Sequence, residues 1–313
     1  MLFTALDDLA AEISLTPMQA LGIPIAIVGA IFLSVGTQFQ HRGVGHFEGG
    51  DQRGASLGWR AVAALLRNRA WVVGTLLLGL AVVLQLGALA LAPLIVVQPL
   101  GAVALVVTAV LNARLAKIRL DHRTIRAVAL CLAGIGVFVT VAAVFAVERP
   151  IRDQQLLTVL ALLLVALVGL GALWWTFRER ANAIFYIVAA GVLYGFVVTL
   201  SKVVLNRIIS GQFEWLTVLC GAALVVAMLV GSYFVQLAHA SGPPDLVIAG
   251  LTVVDPLVAV LIGVSVLGEA AETPPWAILV FAAAGAVAVY GVFQLARHHP
   301  QIRALDDVLE EDE

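Results

Sequence analysis

Residues 71–115 read WVVGTLLLGLAVVLQLGALALAPLIVVQPLGAVALVVTAVLNARL, with no Asp, Glu, Lys or Arg before Arg114. As one helix, this run of 45 residues would reach about 68 Å at about 1.5 Å per residue. That is more than twice the roughly 30 Å hydrocarbon core of a bilayer. Divided at Ala92–Pro93, it gives two runs, Trp71–Leu91 and Pro93–Leu115, each near the length of about 20 residues that one crossing needs. Proline lacks the N–H that a helix requires and pushes the residue before it out of the helical region. The stretch therefore predicts two membrane-spanning helices joined by almost no loop.

The rest of the chain follows the same pattern. Of its 313 residues, 62% are hydrophobic and 12% charged, against about 25% charged in ordinary soluble domains. A water-facing surface cannot be built from that composition, so the solvent is lipid. Apolar runs recur at Met18–Gln40, Ala127–Val147, Gln155–Phe177, Ala183–Leu205, Trp215–Ala238, Leu246–Gly268 and Pro275–Ala296, making nine with the first two. The expected fold is an all-α integral membrane bundle of about nine transmembrane helices. Met1 to Pro17 holds Asp7, Asp8 and Glu12 but no Lys or Arg, so it lacks the basic start of a cleavable signal peptide, and the first run is expected to stay in the mature protein.

Cytoplasmic connections of membrane proteins are enriched in Lys and Arg. Nine crossings put Arg42, Arg53, Arg60, Arg67, Arg69, Arg114, Lys117, Arg119, Arg123, Arg126, Arg178, Arg180, Arg297 and Arg303 on one side, and only Arg149, Arg152, Lys202 and Arg207 on the other. Of 18 basic residues, 14 fall on the first side and 4 on the second, which predicts an outside N-terminus and a cytoplasmic C-terminus in the cell membrane. The loop from His41 to Asn68 reads as a connection facing anionic lipid, with gating of the cytoplasmic mouth as the sharper alternative. Asp306, Asp307, Glu310, Glu311, Asp312 and Glu313 form a solvated tail.

Gln98-Pro99-Leu100-Gly101-Ala102-Val103 aligns with Asp255-Pro256-Leu257-Val258-Ala259-Val260, an offset of 157 from residue 98 to residue 255. Leu84-Gln85-Leu86 resembles Val235-Gln236-Leu237 upstream, with about six extra residues intervening in the second copy. Two four-helix repeats around a spacer helix would be inverted in the membrane, the usual build of secondary transporters. The expected divisions are an extracytoplasmic segment 1–17, a first repeat 18–147, a spacer with its connections 148–182, a second repeat 183–296 and an acidic cytoplasmic tail 297–313.

Asp255 is the acidic side chain placed well inside a spanning run. An ionised group at mid-bilayer costs roughly 2.5–3.5 kcal/mol on insertion scales, so it should face the bundle interior. It also suits the cap of a half-helix that Pro256 starts. Gln98 before Pro99 would form the matching break in the first copy, and paired breaks frame a central site in transporters. Gln85 and Gln236 add amides at corresponding places, each also explicable as a helix-to-helix hydrogen bond. Lys202 reads first as a side chain snorkelling to the outer interface, with pairing to Asp255 or an anionic substrate as the alternative. Glu269 and Glu272 read as interfacial. Gly191 and Gly195 form a GxxxG step that permits close helix packing.

Other chemistries are poorly served. Cys131 and Cys220 lie in apolar runs without metal-site spacing, and no HExxH, GxSxG or Walker pattern occurs. The reading is therefore not an enzyme, without cofactor, and with any metal ligands unknown. A net charge of -2 argues against a nucleic-acid partner. Lipids and a small-molecule or cation substrate are the expected partners; an oligomer is compatible, although two pseudo-symmetric copies suffice in a monomer.

The stretch from Trp71-Val72-Val73-Gly74 through Gln85, Ala90-Leu91-Ala92-Pro93 and Leu94–Ala102 to Ala133–Gly136 resembles the second to fourth helices of the drug/metabolite transporter superfamily, in particular its NIPA-type magnesium transporter branch. Gly36-Thr37-Gln38-Phe39 is similar to the end of the first NIPA helix, and Asp255-Pro256-Leu257 to Leu267-Gly268-Glu269 resembles the end of an EamA repeat. The resemblance implies inverted repeats and a central cavity lined by the first, third, sixth and eighth helices, and Gln38 joins the candidate substrate-binding or coupling residues. The chain departs from the NIPA pattern with Ala81-Val82 in place of Gly-Glu and Gln85 in place of Asn, and with basic and apolar residues around Ala116–Arg119 in place of Leu-Gly-Glu. Magnesium is usually held by one or two carboxylates with retained waters. An organic cation, an amphipathic metabolite or a lipid-linked molecule thus suits the expected cavity better than bare magnesium.

These features lead to a secondary transporter of a small solute, with Asp255 as proton-coupling or cation-contacting group. A magnesium or divalent-cation transporter is the first alternative. A non-transporting scaffold or assembly factor is the second, and would depend on Ala304–Glu313 rather than Asp255. A passive channel would show linear rather than saturable flux.

Overall fold

The computed structural model describes residues 15–48, 66–115, 122–177 and 182–297. Most of segment 1–17, much of the loop 41–68, the residues around Ala116–Arg119 and the tail from 298 lie outside the described residues. Among those described, all regular secondary structure is helical, and nine helices are long and apolar enough to cross a membrane. They are α1 (Gly22–Glu48), α2 (Arg69–Leu91), α3 (Leu94–Val97, Gln98–Ala102 and Val103–Leu115 in succession), α4 (His122–Phe145), α5 (Asp153–Phe177), α6 (Ala183–Ile209), α7 (Trp215–Ser241), α8 (Pro244–Ile262 continued by Gly263–Leu267) and α9 (Pro275–Arg297). A single turn, Pro17–Ala20, leads into α1, capped by Thr16.

Local chemistry sets several of these ends. Asn68 accepts from the N–H groups of Ala70 and Trp71 and opens α2, and Asn182 opens α6 through Phe185 N–H. Both satisfy donors that a helix start leaves free. Between α2 and α3 the connection is Ala92 in extended backbone, φ -135° and ψ 156°, followed by Pro93, as steric conflict before a proline requires. The hairpin expected at Ala92–Pro93 is present.

α1 packs on α2 and α3, α6 on α7 and α8, and α4 on α9, while α8 also meets the middle of α3. The α4–α9 contact crosses the expected boundary between repeats. α6 is the most enclosed span and α5 the least; α5 rests on α6, α7 and the end of α8. Leu76, Val83, Leu164, Val165 and Leu279 point outward and exposed, suited to lipid, while backbone groups are satisfied within the helices.

Two glycine contacts position the part of α8 that carries Asp255. A Cβ on Gly191 would lie 2.6 Å from Val254 Cβ, and one on Gly195 would lie 2.7 Å from Val258 Cβ. The GxxxG step of α6 thus receives Val254, next to Asp255, and Val258 one turn further along α8, and small residues of this kind let helices approach closely in lipid.

One expectation needs correction. Pro256 does not start a half-helix: α8 runs unbroken from Pro244 to Ile262 with Pro256 inside it. Packed spanning helices tolerate an internal proline because neighbours and local adjustments re-satisfy the freed carbonyl. Pro99 sits instead within a true change of geometry, the 3₁₀ segment Gln98–Ala102 in the middle of α3. The irregular turn of α8 comes later, at the π-helical Gly263–Leu267, which ends on Gly268 at φ 74°.

Candidate functional site

A cavity of about 310 Å³ lies between α1, α2, α3, α6 and α8. Its polar side chains are Gln85 from α2, Gln98 from α3, and Thr252 and Asp255 from α8; the remaining wall is small or aliphatic, including Gly29, Gly101 and Val198. Gln98 is 4% exposed. Its Nε2 and the Oδ1 of Asp255 are buried with no hydrogen-bond partner among the described residues. Leaving a buried polar atom unpaired costs about 1–3 kcal/mol, so both atoms favour a polar partner in the cavity. Thr252 donates its hydroxyl to Ile248 O at 2.8 Å within its own helix.

Of the residues singled out in the sequence, Gln85, Gln98, Asp255 and Pro256 thus share one cavity, and Gln38, Lys202, Gln236 and Pro99 do not line it. Gln38 donates to Asn112 Oδ1 and ties α1 to α3. Gln236 lies on the exposed side of α7. Pro256 lines both the central cavity and an adjoining apolar crevice, whose wall also includes Pro99, Phe138, Leu257 and Val260.

Lys202 is enclosed by protein and pairs with Glu148 and Glu269, not with Asp255. It is 2% exposed, and its ammonium lies 3.2 Å from Glu269 Oε1 and 3.0 Å from Glu148 Oε1 and donates to Ala92 O at 2.9 Å. Glu269, expected at the interface, is 3% exposed and accepts from Leu94 N–H and Ile95 N–H at 2.9 Å each. The carboxylate caps the N-terminus of α3, where free N–H groups and the helix dipole favour negative charge. Glu148 Oε2 accepts from Gln19 Nε2 at 3.1 Å. Glu148 gave no sequence signal beyond its place after an apolar run.

Local geometry makes room for this arrangement. Gly268 takes the left-handed conformation, φ 74°, that favours glycine, and turns Glu269 back toward α8. A Cβ on Gly263 would lie 2.8 Å from Glu269 Oε2, so a glycine there keeps the space for the carboxylate open. Glu272, by contrast, is surface-exposed and pairs with Arg149 at 3.0 Å. A second buried cation, Arg207, reaches Asp153 at 2.6 Å and Glu214 at 3.3 Å and donates to Thr217 Oγ1 at 3.0 Å, which joins α5, α6 and α7.

Among the described residues no group of three or more His, Cys, Asp or Glu side chains is placed to hold a metal ion. Cys131 and Cys220 are buried free thiols.

The family model described as "Magnesium transporter NIPA" matches residues 18–267 of this chain. An uncharacterised protein of Corynebacterium glutamicum is 24% identical over 284 residues, which cover 88% of this chain and 95% of that protein. No solved structure matches the chain.

Proposed function

Because this chain belongs to the NIPA magnesium transporter family, we propose that it is a secondary transporter carrying a cation or small cationic solute through the cavity between α1, α2, α3, α6 and α8. One observation carries the reading: Gln85 and Gln98 from the first half of the chain and Asp255 from the second converge on a single cavity in which two polar atoms lack partners. Asp255 supplies the negative charge that contacts the cation or couples a proton, and the amides orient what is bound.

The packing suits alternating access by two inverted repeats. Exchanging α1 with α6, α2 with α7, α3 with α8 and α4 with α9 turns the pairs α1–α2 and α1–α3 into α6–α7 and α6–α8, and returns the α4–α9 pair to itself. The excess of basic residues on one side supports an outside N-terminus. Three of the four basic residues on the sparse side, Arg149, Lys202 and Arg207, are neutralised in ion pairs, which leaves still less free positive charge there.

The donor set also bears on the cargo. Mg²⁺ sheds its waters reluctantly and keeps several when it binds. With a single carboxylate in the cavity, magnesium would cross with its water shell, its waters donating to Asp255 and to the amide oxygens. A second reading, an organic cation with an apolar portion, is favoured by the apolar crevice beside the site, which shares Thr252 and Pro256 with the cavity.

The test is magnesium flux into proteoliposomes holding the wild type or Asp255→Asn, with and without a pH gradient. Saturable flux that the substitution abolishes is the expected result. Equal flux through both chains would remove Asp255 from the mechanism, and no flux through either would turn the search to organic cations. Loss of function on deleting Ala304–Glu313 while Asp255→Asn behaves normally would support the scaffold reading instead.

A further inference from the structure

We propose that Lys202, Glu269 and Glu148 form a reversible gate that closes the central cavity at the end of the bundle holding the α2–α3 joint, an inference that rests on the transport reading above. The cluster lies about one helical turn from cavity-wall residues on both α6 and α3. Val198 lines the cavity, and Lys202 follows it by four residues on α6, about 6 Å along the helix axis. Gln98 lines the cavity, and Leu94, whose N–H Glu269 holds, precedes it by four residues on α3.

The cluster also joins the two halves of the chain. Gln19, Ala92, Leu94, Ile95 and Glu148 come from the first half, and Lys202 and Glu269 from the second. Rocking one half against the other at this end must break these contacts. Two carboxylates and one ammonium give the cluster a formal charge of -1, offset by the positive N-terminus of α3. A buried ion pair of this kind gains little over its hydrated parts, because desolvation cancels most of the attraction. Water entering an opening vestibule can therefore take over each group at small cost. An apolar plug would forfeit its whole burial on opening. The π-helical turn Gly263–Leu267 and the left-handed Gly268 supply an irregular joint next to Glu269, a feature common at functional sites.

The experiment uses Gly101→Cys, which lies in the cavity wall at a position where an added Cβ meets nothing within 4 Å. The background carries Cys131→Ala and Cys220→Ala. A membrane-impermeant thiol reagent is applied from each side of the membrane, to the otherwise wild-type chain and to Lys202→Met, Glu269→Gln and Glu148→Gln. Glu148→Gln leaves the Lys202–Glu269 pair and the helix cap in place, so it serves if the other variants fail to fold.

The expected result is labelling about tenfold faster from the cluster's side and slower from the opposite side, because opening one end of an alternating-access protein closes the other. Faster labelling from both sides would mean the cluster only holds the fold together, and unchanged labelling would mean it bars no path; either overturns the gate. If the introduced thiol reacts from one side in the otherwise wild-type chain but ignores the gate variants, the gate alone fails. If it reacts from neither side in any chain, the transport reading fails with it.

Discussion

Gly263→Ala tests a crowded contact at the ion cluster without changing a charge. The new methyl carbon would sit 2.8 Å from Glu269 Oε2 and 3.3 Å from Leu94 Cβ. Carbon and oxygen without a hydrogen bond need more than 3 Å, so the carboxylate must retreat by several tenths of an ångström. Leu94 is fully buried and cannot move aside, so the shift falls on the 2.9 Å bonds from Leu94 and Ile95 N–H and the 3.2 Å contact with Lys202. Losing one hydrogen bond to a charged acceptor costs about 1.5–3 kcal/mol, while replacing glycine by alanine in a helix returns up to about 1 kcal/mol. The net expectation is destabilisation of roughly 0.5–3 kcal/mol. Reversible unfolding of the purified protein in mixed micelles measures it, and the same substitution in a Glu269→Ala background supplies the control. With the carboxylate gone, Gly263→Ala should be neutral or stabilising. A single variant as stable as wild type, or an equal loss in both backgrounds, would refute the claim that Gly263 exists to accommodate Glu269.

Further expectations separate binding from folding at the cavity. Gln98→Leu replaces an amide that has an unpartnered buried nitrogen with an apolar side chain of similar size, so stability should rise by about 1 kcal/mol while liposome flux falls; a parallel loss of both would mean the amide is structural. Gly191→Ala puts a Cβ 2.6 Å from Val254 Cβ, which forces α8 away from α6 and displaces Asp255. Flux should drop several-fold, as a misplacement of about 1 Å can cost a reaction site far more than its stability. Unimpaired flux with a stably folded Gly191→Ala chain would show that the close seat of α8 is not needed.

The parts of this molecule that were legible in the sequence are those that a one-dimensional pattern records. Spanning helices announce themselves by length and lack of charge, and the Ala92–Pro93 joint by a proline in a run too long for one crossing. Gln85, Gln98 and Asp255 stand out because a polar side chain inside an apolar run has few other uses, and all three line the cavity. Gln236 has the same signature and faces outward, since period and polarity alone do not tell which side of α7 meets its neighbours. The ion cluster was hidden for a different reason. Lys202, Glu148 and Glu269 lie near helix ends, where a charge ordinarily reaches water, and their partners are 54 and 67 positions away along the chain. Only the packed bundle brings them together. Pro256 misled because a proline after an aspartate has the same local sequence whether it starts a helix or is carried within one.

The joint between α2 and α3 has a mechanical consequence. Its two residues, Ala92 and Pro93, span at most about 7 Å even when extended, and the proline fixes one of the few torsions available. Such a connection works as a crank and not as a tether. When α2 tilts against α1, the displacement arrives at Leu94 with no slack to absorb it and passes down the first turn of α3 to Gln98. A wall residue of the cavity is thereby geared to a helix on the lipid-exposed side of the bundle.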